Sequence, residues 1–178
     1  MPNWCNNKLT IRHKDAQVIA DLHETICNDD DSGLFQHIKP MPENIFRGLL
    51  GNEEREECER KGIPNWYDWC CENWGTKWEA CHLIEYQEDA HTLQLSFDTA
   101  WSPPDPIFQA LTEKGFEVEA YYVEYGMGFA GEYHSDADGN VTEEFSDNID
   151  THIPSAVDEV FDISMTLAEW AEEEKEYA

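Results

Sequence analysis

An α+β domain with an antiparallel sheet is the fold class this 178-residue sequence predicts, on three observations. Segments that alternate apolar and polar residues, as half-buried strands do, recur along the chain; Leu93, Leu95 and Phe97 against Thr92, Gln94 and Ser96 is the clearest. Segments with apolar residues every three or four positions, as amphipathic helices have, fall between them. Apart from one long insertion, the connections are short, which favours an antiparallel sheet with its helices on one face.

Trp4 to Arg12 predicts the first strand, with Leu9 and Ile11 on one face. Asp15 is placed to cap a helix running to about Cys27, in which Val18, Leu22 and Ile26 form the apolar stripe. The polar run from Asn28 to Gly33 stops it. Residues 29–77 read as an insertion. Leu34 to Ile38 predicts a short buried strand or edge segment, and Lys39-Pro40-Met41-Pro42 forces an extended or turning backbone. Asn52 to Lys61, almost wholly charged, predicts a solvated helix. Pro64 to Trp74 gathers Trp66, Tyr67, Trp69, Cys70 and Trp74 into an aromatic block, a short helix with Gly75 as its stop.

Strands are predicted next at Trp78 to Tyr86 and His91 to Asp98. Ser102-Pro103-Pro104-Asp105 opens a helix, since Ser or Asp can cap and proline fits the first turn. Ile107, Phe108 and Leu111 give that helix its buried face, and Gly115 closes it. Phe116 to Glu124 alternates as another strand. Without the insertion the order is strand, helix, strand, strand, helix, strand. That is the split βαβ arrangement of a ferredoxin-like core, here residues 3–28 and 78–125, with both helices on one face of the sheet. Residues 126–178 add a hairpin, Phe129 to Tyr133 and Val141 to Phe145 around the turn residues Asp136 to Asn140. An acidic helix from Ser155 to Glu176 follows, with Val160, Ile163, Leu167 and Trp170 as its seam. The whole reads as a single domain.

Charge is the outlying property. The chain has 39 Asp and Glu against 11 Lys and Arg, a formal net of -28. Residues 1–78 hold 14 acids and 9 bases, whereas residues 79–178 hold 25 acids and only Lys114 and Lys175. Such a surface repels nucleic acid and anionic lipid and attracts basic protein surfaces. Duplex DNA carries one charge per about 1.7 Å, so this net charge matches that of about 48 Å of duplex. A compact domain of this length is about 40 Å across. The charge therefore suffices to imitate a short duplex if it lies along one face. The alternative reading is solubility or adaptation to salt.

The beginning, Met1-Pro2-Asn3-Trp4-Cys5, shows no signal peptide, and no apolar run approaches a membrane span. The cysteines at 5, 27, 58, 70, 71 and 81 then read as reduced thiols, and the host cytoplasm is the expected location.

Three segments carry a resemblance: Pro2-Asn3-Trp4-Cys5-Asn6-Asn7, the stretch from Trp66 to Trp78 ending Asn73-Trp74-Gly75-Thr76-Lys77-Trp78, and Phe97-Asp98-Thr99-Ala100-Trp101-Ser102-Pro103-Pro104. Together they are similar to the YubB-like (Api92-like) ferredoxin-like family of plasmid- and phage-borne proteins. The resemblance implies the ferredoxin-like fold and an accessory gene of a mobile element. It implies no activity. The acidic stretch from Glu53 to Arg60 and the Glu-rich C-terminal region lie outside those motifs.

Cys70, Cys71, Cys81 and His82 lack the close ligand pairs of a zinc site and read as buried thiols. Asp136 to Asn140 lacks both outer carboxylates of a calcium loop, since His134 and Phe145 stand at those positions, and reads as a hairpin turn. Gly126-Met127-Gly128-Phe129-Ala130-Gly131 has no lysine and reads as a close backbone contact rather than a phosphate cradle. No nucleophile or Walker motif is present, and among 39 acids a carboxylate pair has no specificity. No catalytic residue, metal or cofactor is therefore assigned. Trp66, Trp69, Trp74, Lys77, Trp78 and Trp101 could line an aromatic groove, although anchoring the insertion is the preferred reading.

The expected function is non-enzymatic. The acids Glu132, Asp136, Asp138, Glu143, Glu144, Asp147, Asp150, Asp158, Glu159, Asp162, Glu169, Glu172, Glu173 and Glu176 would form a surface that occupies a basic, nucleic-acid-binding face of a host protein. In a mobile element, a defence nuclease or restriction complex is the natural target. The alternatives are a small-ligand or cation module on the tryptophan block and, behind it, a metal-dependent hydrolase.

Overall fold

A computed structural model describes residues 2–28 and 33–176, side chains of 27, 28 and 176 excepted. One six-stranded antiparallel sheet organises the chain. Its strands are β1 (Trp4–Arg12), β2 (Cys81–Asp89), β3 (Thr92–Ala100), β4 (Glu117–Glu124), β5 (Phe129–Ser135) and β6 (Val141–Ser146). The spatial order is β2-β3-β1-β4-β5-β6. The first four strands form the ferredoxin-like core, and the hairpin continues the sheet from β4.

The two core helices share one face of the sheet, as expected, and the appended C-terminal helices cover the other. On the first lie α1 (Ala16–Asn28), α2 (Leu34–Ile38), α4 (Trp66–Asn73) and α5 (Asp105–Glu113). They bury Cys5, Leu9 and Ile11 of β1 and Val118, Ala120 and Tyr122 of β4 against Phe35, Ile107, Phe108 and Leu111. Because side chains alternate across a strand, Tyr121 and Val123 point the other way. There they meet Val157 and Ile163 of α6 (Ser155–Phe161) and α7 (Ile163–Glu176) in a second, smaller core. Lys8 fastens α6 from β1, its Nζ donating to the Val160 carbonyl at 2.7 Å.

Most expected elements stand where the pattern put them. Asp15 caps α1, its Oδ1 accepting from the Gln17 N–H at 2.9 Å. The charged helix α3 (Asn52–Lys61) is solvated, with Cys58 as its buried residue, and Gly75 ends the α4 region with φ +78°. Of the polar run predicted to stop α1, residues 29–32 lie outside the described residues.

Four expectations need correction. Leu34 to Ile38 is a helix: Glu79 accepts from the Phe35 and Gln36 N–H groups at 2.6 and 3.0 Å, supplying a cap from a distant segment. The second strand begins at Cys81 rather than Trp78, because Thr76 bonds Ala100 and holds the preceding chain in a turn. Ser102 does not cap α5; its hydroxyl donates to the Gly75 carbonyl at 2.6 Å. The single C-terminal helix is two helices, broken at Asp162, whose φ of +52° is left-handed. Asp158 then recaps α7 through the Ser164 N–H and hydroxyl at 2.7 and 2.6 Å.

Candidate functional site

The three motif segments meet at one end of the sheet. The Trp101 N–H donates to the Asn3 carbonyl at 3.0 Å. The Asn7 side chain is buried and donates to the Cys5 carbonyl, the Phe97 carbonyl and Thr99 Oγ1. Thr76 Oγ1 accepts from the Ala100 N–H at 3.1 Å and donates to its carbonyl at 3.0 Å. A β-carbon at Gly75 would lie 2.9 Å from the Pro103 carbonyl oxygen, so only glycine fits there. The polar motif residues are thus joinery between β1, the loop after α4 and the β3–α5 turn.

That joinery fixes one wall of a cavity of about 490 Å³. Trp101, Ser102 and Pro103 form the wall on the β3–α5 side, and Asp105 follows in the first turn of α5. Opposite stand Phe129 of β5 and Glu143 and Phe145 of β6, with Met127 at the rim and Tyr122 and Tyr133 between. Register explains the convergence: Gly131 lies opposite Tyr122 and Phe145, and Tyr133 opposite Glu143, so these side chains share a face. Gly131 matters because the Tyr122 hydroxyl fills the space a β-carbon would need.

Electrostatically the cavity is anionic. Among the described residues no lysine or arginine lines it. Asp105 is partly buried, and its carboxyl is pushed up to about 6, first by loss of hydration and then by the charge of Glu143. Burial and the same two carboxylates push the Tyr122 hydroxyl up as well.

The predicted acids fall on the appended elements but over both faces. Glu143 enters the cavity; Glu132 also borders it, although by register Glu132 and Glu144 share the face of Tyr121, toward α6. One oxygen of Glu132 is buried without a hydrogen bond, 3.6 Å from His134 Nε2, and Glu144 Oε1 is 3.2 Å from His152 Nε2. Asp136 is used by its own turn: the Asn140 side-chain amide donates to it at 2.8 Å and the Asp138 and Asn140 N–H groups at 2.9 Å, and those bonds, the side-chain one first, lower its carboxyl. Asp158 is a helix cap, and Glu159 borders a groove beside Lys8. Asp138, Asp147, Asp150, Asp162, Glu169, Glu172 and Glu173 are exposed; Glu176 lies outside the described side chains.

The tryptophans do not line one groove. Trp74 is buried against Phe35, donates to the Lys39 carbonyl at 2.9 Å and packs on Trp69. Trp66 donates to the Gly48 carbonyl at 3.1 Å, so this trio anchors the insertion. Trp78 belongs to another cluster, with Trp4 on one side and Lys77 Nζ 4.1 Å from its ring centre. Trp101 alone of the six borders the 490 Å³ cavity. The sequence reading missed Asp105, Tyr122, Phe129 and Phe145 as site residues; the contiguity of Asp105 with the Trp-Ser-Pro-Pro motif was the available signal. It also missed an open sheet face over β1, β2 and β3, where Ile84 and Tyr86 are exposed.

Among the described residues no group of three or more His, Cys, Asp or Glu could hold a metal ion, and no helix is long and apolar enough to cross a membrane. Cys5, Cys58 and Cys70 are buried free thiols, and burial raises Cys5 and Cys70 far above the ordinary thiol range, but Cys71 is exposed and Cys81 half-buried, so neither is the buried thiol expected.

Residues 73–167 match the family described as the ferredoxin-like domain in Api92-like protein. The chain belongs to that family. The matched span takes in the wall of the cavity, the hairpin and α6. The chain is also similar to the crystal structure of a protein Api92 from Yersinia pseudotuberculosis, with a TM-score of 0.58 over 82% of this chain and 98% of that one. At 11% identity this likeness establishes the fold. No curated protein matches the chain.

Proposed function

We propose that this protein is a non-enzymatic accessory protein of a phage or plasmid, YubB-like in kind, that acts in the host cytoplasm by occupying a basic, nucleic-acid-binding surface of a host protein. A defence nuclease or restriction complex is the intended class of target. The observation that supports this most is the segregation of charge. Residues 126–178 hold 15 Asp and Glu against one base, Lys175, and they make up β5, β6, α6 and α7, which extend the ferredoxin-like core.

The bases lie elsewhere and are partly engaged. Arg12 pairs with Glu119 at 2.7 Å, and Lys8 is tied to α6. A fold that leaves so much like charge unneutralised repels itself. A basic partner relieves that repulsion on binding and is drawn in faster by it. The test is capture of basic host proteins on the immobilised chain at low and high salt, followed by competition with duplex DNA. Retention that weakens with salt and is displaced by DNA supports the reading. Retention indifferent to both would sink it.

A further inference from the structure

We propose that the cavity between the β3–α5 turn and the β5–β6 hairpin is a binding site for an organic cation, an alkylammonium or guanidinium group, held by Asp105 and Glu143 between aromatic walls. It is a second property of the molecule and does not depend on the acidic-surface reading.

Four observations lead to it. The cavity has the size of a small-ligand site, about 490 Å³. Its walls present Trp101, Phe129 and Phe145, whose ring faces attract cations, and Trp101 and Phe145 are 45% and 58% exposed. Tyr122 is only 6% exposed, yet among the described residues its hydroxyl makes no hydrogen bond, leaving it open to the cavity that Asp105 also lines. Trp101 is held at φ +74°, a conformation bulky residues avoid, and such strain gathers at binding sites.

The polar set selects the charge and kind of ligand. Among the described residues Asp105 has no ion pair and accepts no hydrogen bond, and only loss of hydration and the charge of Glu143 act on its carboxyl, so its desolvation is uncompensated until a donor arrives. The titratable groups around it are Glu143 of β6, Tyr122 of β4, Tyr133 of β5 and Cys5 of β1, with no base among them. An anion is excluded. A metal ion is disfavoured because two carboxylates without a third ligand give an incomplete shell, and aromatic walls offer it no oxygen. A guanidinium or ammonium on an aliphatic stem satisfies each part: donors to the carboxylates and to Tyr122, a cation over the rings, a stem against Pro103 and Met127.

Such a group comes from a free polyamine or from an arginine or lysine of a partner protein. Calorimetric titration with agmatine, spermidine and an N-acetyl-arginine amide separates these sources, with magnesium as the control. Saturable binding at one site is expected, at least roughly tenfold weaker in Asp105→Asn. Tyr122→Phe and Trp101→Ala should weaken it as well, and Glu172→Gln/Glu173→Gln on α7 should leave it unchanged. A change in tryptophan emission on titration that is present in the wild type and lost in Trp101→Phe gives a second readout, since the chain holds seven tryptophans. Preference for the arginine amide assigns the site to a partner's side chain, and preference for spermidine or agmatine to a free amine. Unsaturable binding, equal loss in the α7 variant, or equal competition by magnesium would reduce the effect to diffuse attraction by an acidic protein and overturn the proposal.

Discussion

The hydroxyl of Tyr122 occupies the space in which a β-carbon on Gly131 would have to sit. One missing side chain on β5 thus lets a nearly buried tyrosine present its oxygen to the cavity. A methyl group at Gly131 must displace that ring or the Glu144 carbonyl, which lies 2.8 Å from the same point. Gly131→Ala is expected to destabilise by about 1–3 kcal/mol. Removing the hydroxyl as well, in Gly131→Ala/Tyr122→Phe, should recover part of that loss, as urea unfolding of Gly131→Ala, Tyr122→Phe and the double variant would show.

Asp105 gives a prediction in pH. Its carboxyl is raised from 3.8 to about 6, so the folded chain holds the proton more tightly than the unfolded one. Stability from this group therefore rises as pH falls through about 6 toward 4. At neutral pH its charge is a cost, and Asp105→Asn should stabilise by on the order of 1 kcal/mol, discounted for partial exposure. The advantage should fade as the wild-type group protonates. Melting curves from pH 7.5 to about 4 check both the sign and the window. An acid whose removal stabilises the fold is what a binding residue looks like in a stability measurement.

Trp101 gives another. Its left-handed backbone costs alanine as much as tryptophan, whereas glycine is free of that cost. Trp101→Gly should be more stable than Trp101→Ala by about 1 kcal/mol, reversing the usual order of the two residues. Thermal unfolding of the pair decides it.

Glu79 is the remote cap of α2. Glu79→Ala should cost about 1–2 kcal/mol by leaving the Phe35 and Gln36 N–H groups without an acceptor, and Glu79→Gln less, because its amide oxygen still accepts. Chemical denaturation of both variants tests this.

The same residues show how far the sequence could be read. Alternation in β3 and β4 and the stripe of α5 are local patterns, so the ferredoxin-like order was legible. The helix at Leu34 was not, because its N-terminal acceptor comes from Glu79. The break at Asp162 was hidden for a related reason: an apolar seam continues through it, and the signal lies in Asp158 folding back to Ser164. The cavity was half legible. Trp101 stood out as a tryptophan beside a proline pair, but Asp105 looked like an ordinary first-turn acid. Its proximity to Glu143 requires knowing that the hairpin extends β4 and in what register.

The central functional claim is that acids of the appended elements, rather than net charge as such, engage a basic partner. The direct measurement is the salt dependence of binding to one captured host protein for three chains. One is wild type. One is neutralised at the exposed Asp138, Asp147, Asp150, Glu169, Glu172 and Glu173, and one at an equal number of exposed acids elsewhere, Glu24, Glu43, Glu53, Glu56, Glu59 and Glu72. A weaker affinity and a shallower salt slope are expected for the first variant alone. Equal losses in both variants, or none in either, would contradict it.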